Sequence, residues 1–374
     1  MKWFYIVSIT GFFLLIVPFS ASAQEGPRPR DLGMVTGTLP TGLRNAITDV
    51  PGVRVGHTTL VKGDSVRTGV TAILPHGENL FMEKVPAAIQ VFNGFGKLAG
   101  YTQVKELGNL ETPVILTNTL SVGTAVTAVV EYTLRQPGNE EVRSVNAVVG
   151  ETNDGYLNDI RGLHVSREDV WQAISGAAGG PVEEGCVGAG TGTRALGYKG
   201  GIGTASRQVR LGDSLYTVGV LVQTNFGNEL VMLGVPVGRE LRQQRMEEDR
   251  GGSCMIVVAT DAPLPARNLE RLAHRAFIGM GRTTTHTSNG SGDYAIAFST
   301  AYRIPHGGTN PTYPLPPLVK NDRMTLLFRA VEEATEEAVY NSLFKAVATT
   351  GRNGNRVEAI PVQRVLEIMK KYGR

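Results

Sequence analysis

Short apolar runs rich in β-branched residues recur along the chain, and turn-forming residues separate them. Several runs are apolar at consecutive rather than alternate positions, which is typical of strands covered on both faces. The pattern predicts strands at residues 52–56, 114–117, 144–149, 216–222 and 255–260.

Amphipathic segments lie between these runs and after them. Residues 167–174 carry Glu168 and Asp169 in the first turn, where the helix dipole favours acidic side chains. In residues 266–280, Leu269, Leu272 and Phe277 fall on one face at helical spacing. The pattern predicts helices at residues 167–174, 266–280, 324–349 and 362–372.

Strands covered on both faces, together with helices, predict an α/β protein with two sheets packed between helices. No linker, charge run or internal repeat divides the chain, so residues 24–374 are predicted to form a single domain. The glycine-rich segment 188–203 lacks the Gly-Lys-Ser/Thr ending of a phosphate-binding loop, and it is interpreted as a glycine-bent hairpin.

The N-terminus has the pattern of a secretory signal peptide. A basic start at Lys2 precedes an apolar run, and Ala21-Ser22-Ala23 fits the small-x-small pattern that signal peptidase reads. The mature chain is therefore predicted to begin at Gln24, to be free of the membrane, and to be periplasmic or secreted.

Charge and cysteine content exclude several function classes. Removal of residues 1–23 takes away one base, Lys2, so the formal charge falls from +3 by one, to +2. Without a dense Lys/Arg cluster, no nucleic-acid partner is predicted. Cys186 and Cys254 are too few for a disulfide scaffold, and the apolar or glycine-rich surroundings of each favour two separate thiols.

Familiar catalytic motifs are missing. The chain has no Gly-x-Ser-x-Gly, His-Glu-x-x-His or Cys-x-x-Cys motif, and its six histidines show no paired ligand spacing. Neither a metal site nor a cofactor is predicted.

The junction at Gly252-Ser253 is the strongest chemical candidate. A polar segment, 247–252, ends in two glycines and runs directly into Ser253 and an apolar strand. The Ser253 hydroxyl is suited to attack the unhindered Gly252 carbonyl, and cleavage would leave Ser253 with an α-amine that serves as its base. On spacing alone, an ordinary Gly-Gly-Ser loop remains the simpler interpretation.

Several blocks of the chain, in order, resemble the L-aminopeptidase/D-Ala-esterase-amidase and β-peptidyl aminopeptidase family of self-processing N-terminal serine hydrolases. The resemblance covers essentially the whole mature chain. Besides Gly252-Ser253 and its strand, the matching blocks are Asp49-Val50-Pro51-Gly52-Val53-Arg54-Val55-Gly56-His57, Gly150-Glu151-Thr152-Asn153-Asp154-Gly155-Tyr156, Gln223-Thr224-Asn225-Phe226-Gly227, Thr260-Asp261-Ala262-Pro263-Leu264 and Ser288-Asn289-Gly290-Ser291-Gly292-Asp293-Tyr294.

The resemblance implies a role for each of four residues near the nucleophile. Ser253 would attack both its own chain and the substrate. Ser291 would orient the Ser253 amine or hydroxyl, with Asp293 behind it as the acidic partner. Asn225 would donate a hydrogen bond to the oxyanion. Without the resemblance, an ordinary turn or loop residue is the simpler interpretation of each of the last three.

Two further roles concern the substrate. Tyr156 would line the site and help to polarise the carbonyl, and Glu151 would pair with the substrate's ammonium group. Where β-peptide-cleaving relatives carry Glu after Ser-Gly, this chain has Asp293, which leaves the preferred substrate open.

The resemblance also implies the assembly and the reaction. It implies a sandwich of the N-terminal-nucleophile type, related in fold to ornithine acetyltransferase, cut into chains 24–252 and 253–374. The chains would assemble as a homotetramer of αβ units that hydrolyses short peptides, amides or esters without a cofactor.

Four alternatives remain. An uncut Ser-His-Asp hydrolase would use His286 or His306 as base, and a thiol enzyme would use Cys254, whose apolar setting predicts low reactivity. Acyl transfer, as in the ornithine acetyltransferases, fits an exported serine enzyme less well. An exported binding protein is a non-enzymatic alternative.

Overall fold

The computed structural model describes Met1, residues 26–241 and residues 252–374. Apart from Met1, the predicted signal peptide lies outside these described residues, as do residues 247–251 of the polar segment before Ser253.

Within the described residues, strands and helices alternate through most of the chain. The strands are β1 (Arg54–Lys62), β2 (Val66–Leu74), β3 (Glu83–Gly94), β4 (Asn109–Leu110), β5 (Val114–Asn118), β6 (Val148–Thr152), β7 (Arg194–Ala195), β8 (Tyr198–Lys199), β9 (Ile202–Leu211), β10 (Ser214–Asn225), β11 (Ser253–Thr260), β12 (Gly292–Ser299), β13 (Ile304–Pro305), β14 (Thr349–Thr350) and β15 (Arg356–Val357). The helices are α1 (Tyr101–Leu107), α2 (Val122–Leu134), α3 (Arg167–Ser175), α4 (Val237–Glu240), α5 (Ala266–Gly281), α6 (Thr325–Phe344) and α7 (Val362–Lys371).

Two mixed sheets form the centre of the molecule. The smaller sheet has the strand order β1-β2-β5-β6, and its β5–β6 pair is parallel. The larger sheet has the order β13-β3-β12-β11-β10-β9, with β4 also paired to β3. Within the larger sheet, β11 and β12 are parallel, whereas β10 and β11 are antiparallel.

Three apolar clusters separate four layers. The cluster between the two sheets includes Val148, Met255 and Ile296, because alternate side chains of each sheet point toward the other. A second cluster joins the outer face of the larger sheet to α5 and α6, and a third joins the smaller sheet to α2 and α3. The architecture is therefore αββα, and the predicted fold class is confirmed.

Element boundaries differ from the predictions where tertiary contacts compete with local pattern. The strand predicted at 144–149 begins only at Val148, because the backbone N–H of Asn146 donates to Glu111 Oε1 at 2.7 Å instead of to a neighbouring strand. The helix predicted to reach residue 349 ends at Phe344, where the chain turns against residues 185–186 and Val347 N–H donates to Cys186 Sγ at 3.4 Å.

Other predictions hold closely. Helices α3, α5 and α7 match the predicted segments to within one or two residues. The glycine-rich segment contains the antiparallel β7–β8 hairpin, as predicted. Cys186 and Cys254 are both free thiols.

Among the described helices, none is long and apolar enough to span a bilayer.

Candidate active site

Ser253 is the first residue of β11, a central strand of the larger sheet. Its pairing partner on β10 is Asn225, and its partner on β12 is Gly292. Directly opposite residues on antiparallel strands project to the same face, with Cβ atoms about 5 Å apart. The fold therefore places the Asn225 amide beside the Ser253 hydroxyl, although 27 intervening residues separate them in sequence.

The carbonyl before Ser253 receives two hydrogen bonds. The Ser253 hydroxyl donates to Gly252 O at 2.6 Å, and the backbone N–H of Gly292 donates to the same oxygen at 3.0 Å. The hydroxyl is thus in contact with the peptide group that precedes it. A donor on an adjacent strand polarises that carbonyl, as an oxyanion-binding N–H does.

The Asn225 side chain is fixed by the β7–β8 hairpin. Arg194 N–H donates to Asn225 Oδ1 at 3.1 Å, and Leu196 N–H donates to Phe226 O at 2.8 Å. Because Oδ1 is the acceptor, the orientation of the amide follows from its hydrogen bond. Asn225 Nδ2 donates to no residue in the described ranges and is left available for a ligand.

Ser291 and Asp293 flank Gly292, and both are buried. The Ser291 hydroxyl donates to Asp293 Oδ1 at 2.8 Å, while Asp293 Oδ2 has no hydrogen-bond partner among the described residues. The loop before Ser291 is clamped by Asn93, whose amide donates to Asn289 O at 3.0 Å and also to Ser291 O.

The ionisation of Asp293 is shifted by its surroundings. Burial raises the pKa of this carboxyl from 3.8 to about 6, against the opposing effects of the Ser291 hydroxyl and the backbone of Cys254. Asp293 is next to Gly292, the residue that pairs with Ser253. A buried carboxyl with a raised pKa at such a position is typical of a functional site.

Glu151 lies at the end of β6 in the smaller sheet and is 3% exposed. Lys97 N–H donates to Glu151 Oε1 at 3.0 Å, and the Thr119 hydroxyl donates to Oε2. Burial raises the pKa of Glu151, although both hydrogen bonds oppose the shift. Each carboxylate oxygen retains a lone pair, so the group can still accept from a bound cation.

The two site tyrosines occupy different positions. Tyr156 is half-buried, and the Arg194 guanidinium lies 4.2 Å from the centre of its ring, so Tyr156 is linked to Asn225 through Arg194. Tyr294 follows Asp293 on β12 and packs in the apolar cluster between the sheets.

The structure argues against the alternative nucleophile Cys254 and against His306 as a base. Cys254 is fully buried, and burial raises the pKa of its thiol well above the ordinary value, as its apolar setting predicted. His306 lies beside the start of β3, whereas Gly94 at the end of β3 pairs with Gly292. The length of β3, roughly 35 Å at the usual rise per residue, therefore separates His306 from Ser253. His286 is exposed, and its ring nitrogen Nδ1 bonds to the Thr285 hydroxyl at 3.2 Å.

Four residues complete this arrangement although no role was predicted for them from the sequence. They are the donor Gly292, the clamp Asn93, the hairpin residue Arg194, and Tyr294. For Gly292 and Tyr294 a signal was present, since both belong to the block that contains Ser291 and Asp293. In the described part of the chain, no group of three or more His, Cys, Asp or Glu side chains is arranged to hold a metal ion.

Comparison with known proteins identifies the family. The model of peptidase family S58 matches residues 45–357. The β-peptidyl aminopeptidase BapA of Sphingosinicella microcystinivorans is 43% identical over 95% of this chain and 94% of its own length.

Solved structures agree with the sequence match. A protein from Pyrococcus horikoshii OT3 superposes with a TM-score of 0.88 at 48% identity, covering 93% of this chain and 100% of its own. The L-aminopeptidase D-Ala-esterase/amidase of Ochrobactrum anthropi, described as a prototype of the serine aminopeptidases and a variant of the Ntn hydrolase fold, gives a TM-score of 0.88 at 39% identity, with 93% and 99% coverage. The chain belongs to peptidase family S58, and it is a serine aminopeptidase with an N-terminal-nucleophile hydrolase fold.

Proposed function

We propose that this aminopeptidase is made as an exported precursor, cleaves itself between Gly252 and Ser253, and then releases amino-terminal residues from short peptides, amides or esters through an acyl-enzyme on Ser253. The observation that carries the proposal is the contact of the Ser253 hydroxyl with Gly252 O at 2.6 Å, on a carbonyl that also accepts the Gly292 N–H at 3.0 Å.

Self-cleavage begins with attack of Ser253 Oγ on the Gly252 carbonyl carbon. The Oγ–C bond forms, the C–N bond breaks, and the hydroxyl proton passes to the departing nitrogen, which becomes the α-amine of Ser253. Water then hydrolyses the ester, and this step frees the Gly252 carboxylate and restores the hydroxyl. The Gly292 N–H stabilises the oxyanion in both steps.

Substrate hydrolysis reuses the same groups. The new α-amine, with a reference pKa of about 7.7–8.0, takes the proton of its own hydroxyl as Oγ attacks the substrate carbonyl. Ionised Asp293 accepts from the Ser291 hydroxyl, which leaves a Ser291 lone pair to accept from the Ser253 amine. Asn225 Nδ2 and the Gly292 N–H, which departure of Gly252 makes available, are the two donors for the substrate oxyanion.

Recognition of a free amine on the substrate would account for the aminopeptidase specificity. Buried Glu151 supplies a carboxylate with unused lone pairs, and Tyr156, linked through Arg194 to Asn225, lines the approach to the oxyanion donors. The relation to a β-peptidyl aminopeptidase at 43% identity supports β-amino residues as one accepted class. Export by the N-terminal signal and assembly into a homotetramer of αβ units belong to the same proposal.

Intact mass and N-terminal sequencing of the purified protein test this proposal. Two fragments are expected, one of which begins at Ser253, together with release of p-nitroaniline from an amino-acid p-nitroanilide. A single chain with full activity would overturn self-cleavage, and processed protein inactive on every amine-bearing anilide would overturn the substrate class.

Gly252→Ala is expected to slow self-cleavage at least about tenfold. A methyl group at this position would lie 2.8 Å from Phe226 Cα and 3.1 Å from Asn225 O, and this backbone cannot yield without loss of the strand pairing. The peptide would shift away from Ser253 Oγ, and misplacement of about 1 Å costs up to 100-fold in rate. The rate of fragment appearance on a gel measures the effect. Turnover per cleaved chain should remain normal, and processing at the wild-type rate would contradict the steric argument.

The activity is expected to fall as pH drops through about 6, because protonation removes the negative charge of Asp293 and makes it a weaker acceptor for the Ser291 hydroxyl. The probe is p-nitrophenyl propionate, which has no amine and so avoids the titration of Glu151. Below pH 6, log kcat/KM should fall with slope 2, from Asp293 and the Ser253 amine together, and with slope 1 in Asp293→Asn. An unchanged slope in the variant would show that Asp293 does not control the acid limb.

The thermal stability of Asp293→Asn, measured at two pH values, is the control for its activity. The folded-state pKa of Asp293 lies above that of an unfolded aspartate, so its stabilising contribution is present at low pH and is lost as pH rises through about 6. Asp293→Asn should therefore raise Tm at pH 8 and change it little near pH 3.5, which separates a loss of activity from a loss of fold.

A further inference from the structure

A small gap beside the nucleophile is bordered by two oxygens that no hydrogen bond joins. A methyl group placed on Gly96 would lie 3.1 Å from the Tyr294 hydroxyl oxygen and 3.2 Å from Glu151 Oε1. The two oxygens therefore face the same space, and the absence of a side chain at Gly96 keeps that space open.

Most of Tyr294 is buried, and the residue as a whole is 4% exposed. Its hydroxyl makes no hydrogen bond to any residue within 26–241 or 252–374, yet its oxygen is not one of the fully enclosed unpaired oxygens of those ranges. The hydroxyl therefore keeps access to solvent and is open to a ligand. Burial, followed by the charges of Glu151 and Asp293, raises the pKa of Tyr294, so the hydroxyl remains protonated at neutral pH.

The strand register brings this hydroxyl to the catalytic face. Tyr294 pairs with Met255 on β11, two residues beyond the pairing of Gly292 with Ser253. Since side chains alternate along a strand, Ser253 and Tyr294 project to the same side of the sheet. On the smaller sheet, Gly150, the neighbour of Glu151, lies against Met255 at the same level.

The loop after β3 closes the gap from the third side. Phe95 N–H donates to Ser291 O at 3.2 Å, and Lys97 N–H donates to Glu151 Oε1 at 3.0 Å. Gly96 thus lies between two residues of the loop, of which Phe95 is bonded to Ser291 and Lys97 is bonded to Glu151.

We propose that the Tyr294 hydroxyl is a specificity-determining group that, together with Glu151, holds the free ammonium group of the substrate in the gap over Gly96. The inference rests on the proposed function and deepens it. Glu151 supplies the negative charge, and the Tyr294 oxygen accepts one ammonium N–H. An ammonium has three donors, so two fixed acceptors orient the aminoacyl residue as well as binding it.

The test compares Tyr294→Phe, which removes only the hydroxyl, with wild type on two probes. The first is β-alanine p-nitroanilide, which has the amine, and the second is p-nitrophenyl propionate, which lacks it. We expect kcat/KM for the anilide to fall about 10- to 100-fold, mainly through KM, the range for a hydrogen bond to a charged group. Hydrolysis of p-nitrophenyl propionate should stay within about twofold.

Three further variants test the proposal more closely. Tyr302→Phe is the matched control, because its hydroxyl bonds to Leu264 O at 3.3 Å away from the gap, and it should change neither probe. Gly96→Ala should weaken the anilide alone, since Gly96 is not among the glycines with left-handed φ and the substitution strains no backbone. Tyr294→Phe should add little to the loss caused by Glu151→Gln, because the two groups hold one ammonium.

Each other outcome is informative. Equal losses on both probes, or no loss on the anilide, would overturn the role of Tyr294. An effect of Tyr294→Phe that adds in full to that of Glu151→Gln would show that the two side chains do not share one ligand. If p-nitrophenyl propionate hydrolysis survives Ser253→Ala, the proposed function fails instead, independently of Tyr294.

Discussion

Replacement of Ser253 by alanine is expected to leave the chain uncut at residue 252 and to abolish aminopeptidase activity. In the proposed mechanism, the hydroxyl that contacts Gly252 O at 2.6 Å is the attacking group in both reactions, and alanine offers no substitute. Without cleavage, residue 253 also lacks the α-amine that serves as base, so both parts of the nucleophile are lost at once. The residual rate should not exceed the background measured without enzyme.

Intact mass spectrometry and p-nitroanilide turnover, performed on the same preparation, measure this result. Ser299→Ala is the matched control, because it removes a buried hydroxyl from the other end of β12, where Ser299 Oγ donates to Ala262 O at 2.6 Å. That variant should be processed normally and lose only stability. Fragments beginning at residue 253 in the alanine variant would show that another group, or another protease, cuts the chain.

Replacement of Asn225 by alanine is expected to lower kcat about 100- to 1,000-fold with a much smaller change in KM. The Nδ2 donor is aimed by the Arg194 N–H bond to Oδ1, and removal of one oxyanion donor from a hydrolase costs this much. Self-cleavage should slow less, since the Gly252 carbonyl already accepts from the Gly292 N–H at 3.0 Å.

Steady-state kinetics on processed protein separate the two constants. Asn228→Ala is a suitable control, because Asn228 lies three residues farther along and donates to His286 O at 3.1 Å outside the site. A loss confined to KM would assign Asn225 to substrate binding rather than to the transition state. The Tm of the same preparations shows whether the variant is folded under the conditions of the assay.

Local sequence predicted the elements that local forces control. The apolar run of β11 and the amphipathic face of α5 need only the periodicity of their own residues, and both were placed correctly. The prediction did not name β3 and β12, which carry Asn93 and Asp293. β12 begins inside a Gly-Ser-Gly-Asp motif that has the composition of a turn, and only pairing with β11 makes this segment extended.

In the candidate site, too, some residues could be chosen from their sequence neighbours and others could not. Ser253 was chosen as the candidate nucleophile from its own neighbours, two glycines and a strand, together with the resemblance of the whole chain. The roles of Asn225, Ser291 and Glu151 came from resemblance, because nothing within a few residues of each distinguishes it from a loop residue. Gly292 could not be chosen, since its proposed role as a donor rests on a backbone N–H that every non-proline residue possesses.

By itself, the sequence determined the family of the protein and the strand that begins at Ser253, and it gave the Gly252-Ser253 bond as the candidate for cleavage. These inferences depend on residues adjacent in the chain. Tertiary structure alone decided which groups surround that bond. Sheet register sets Asn225 and Gly292 on either side of Ser253, and the packing of the two sheets brings Glu151 and Tyr294 to one gap. Register and packing depend on contacts between residues far apart in sequence, and the free energy of such contacts cannot be read from any single segment.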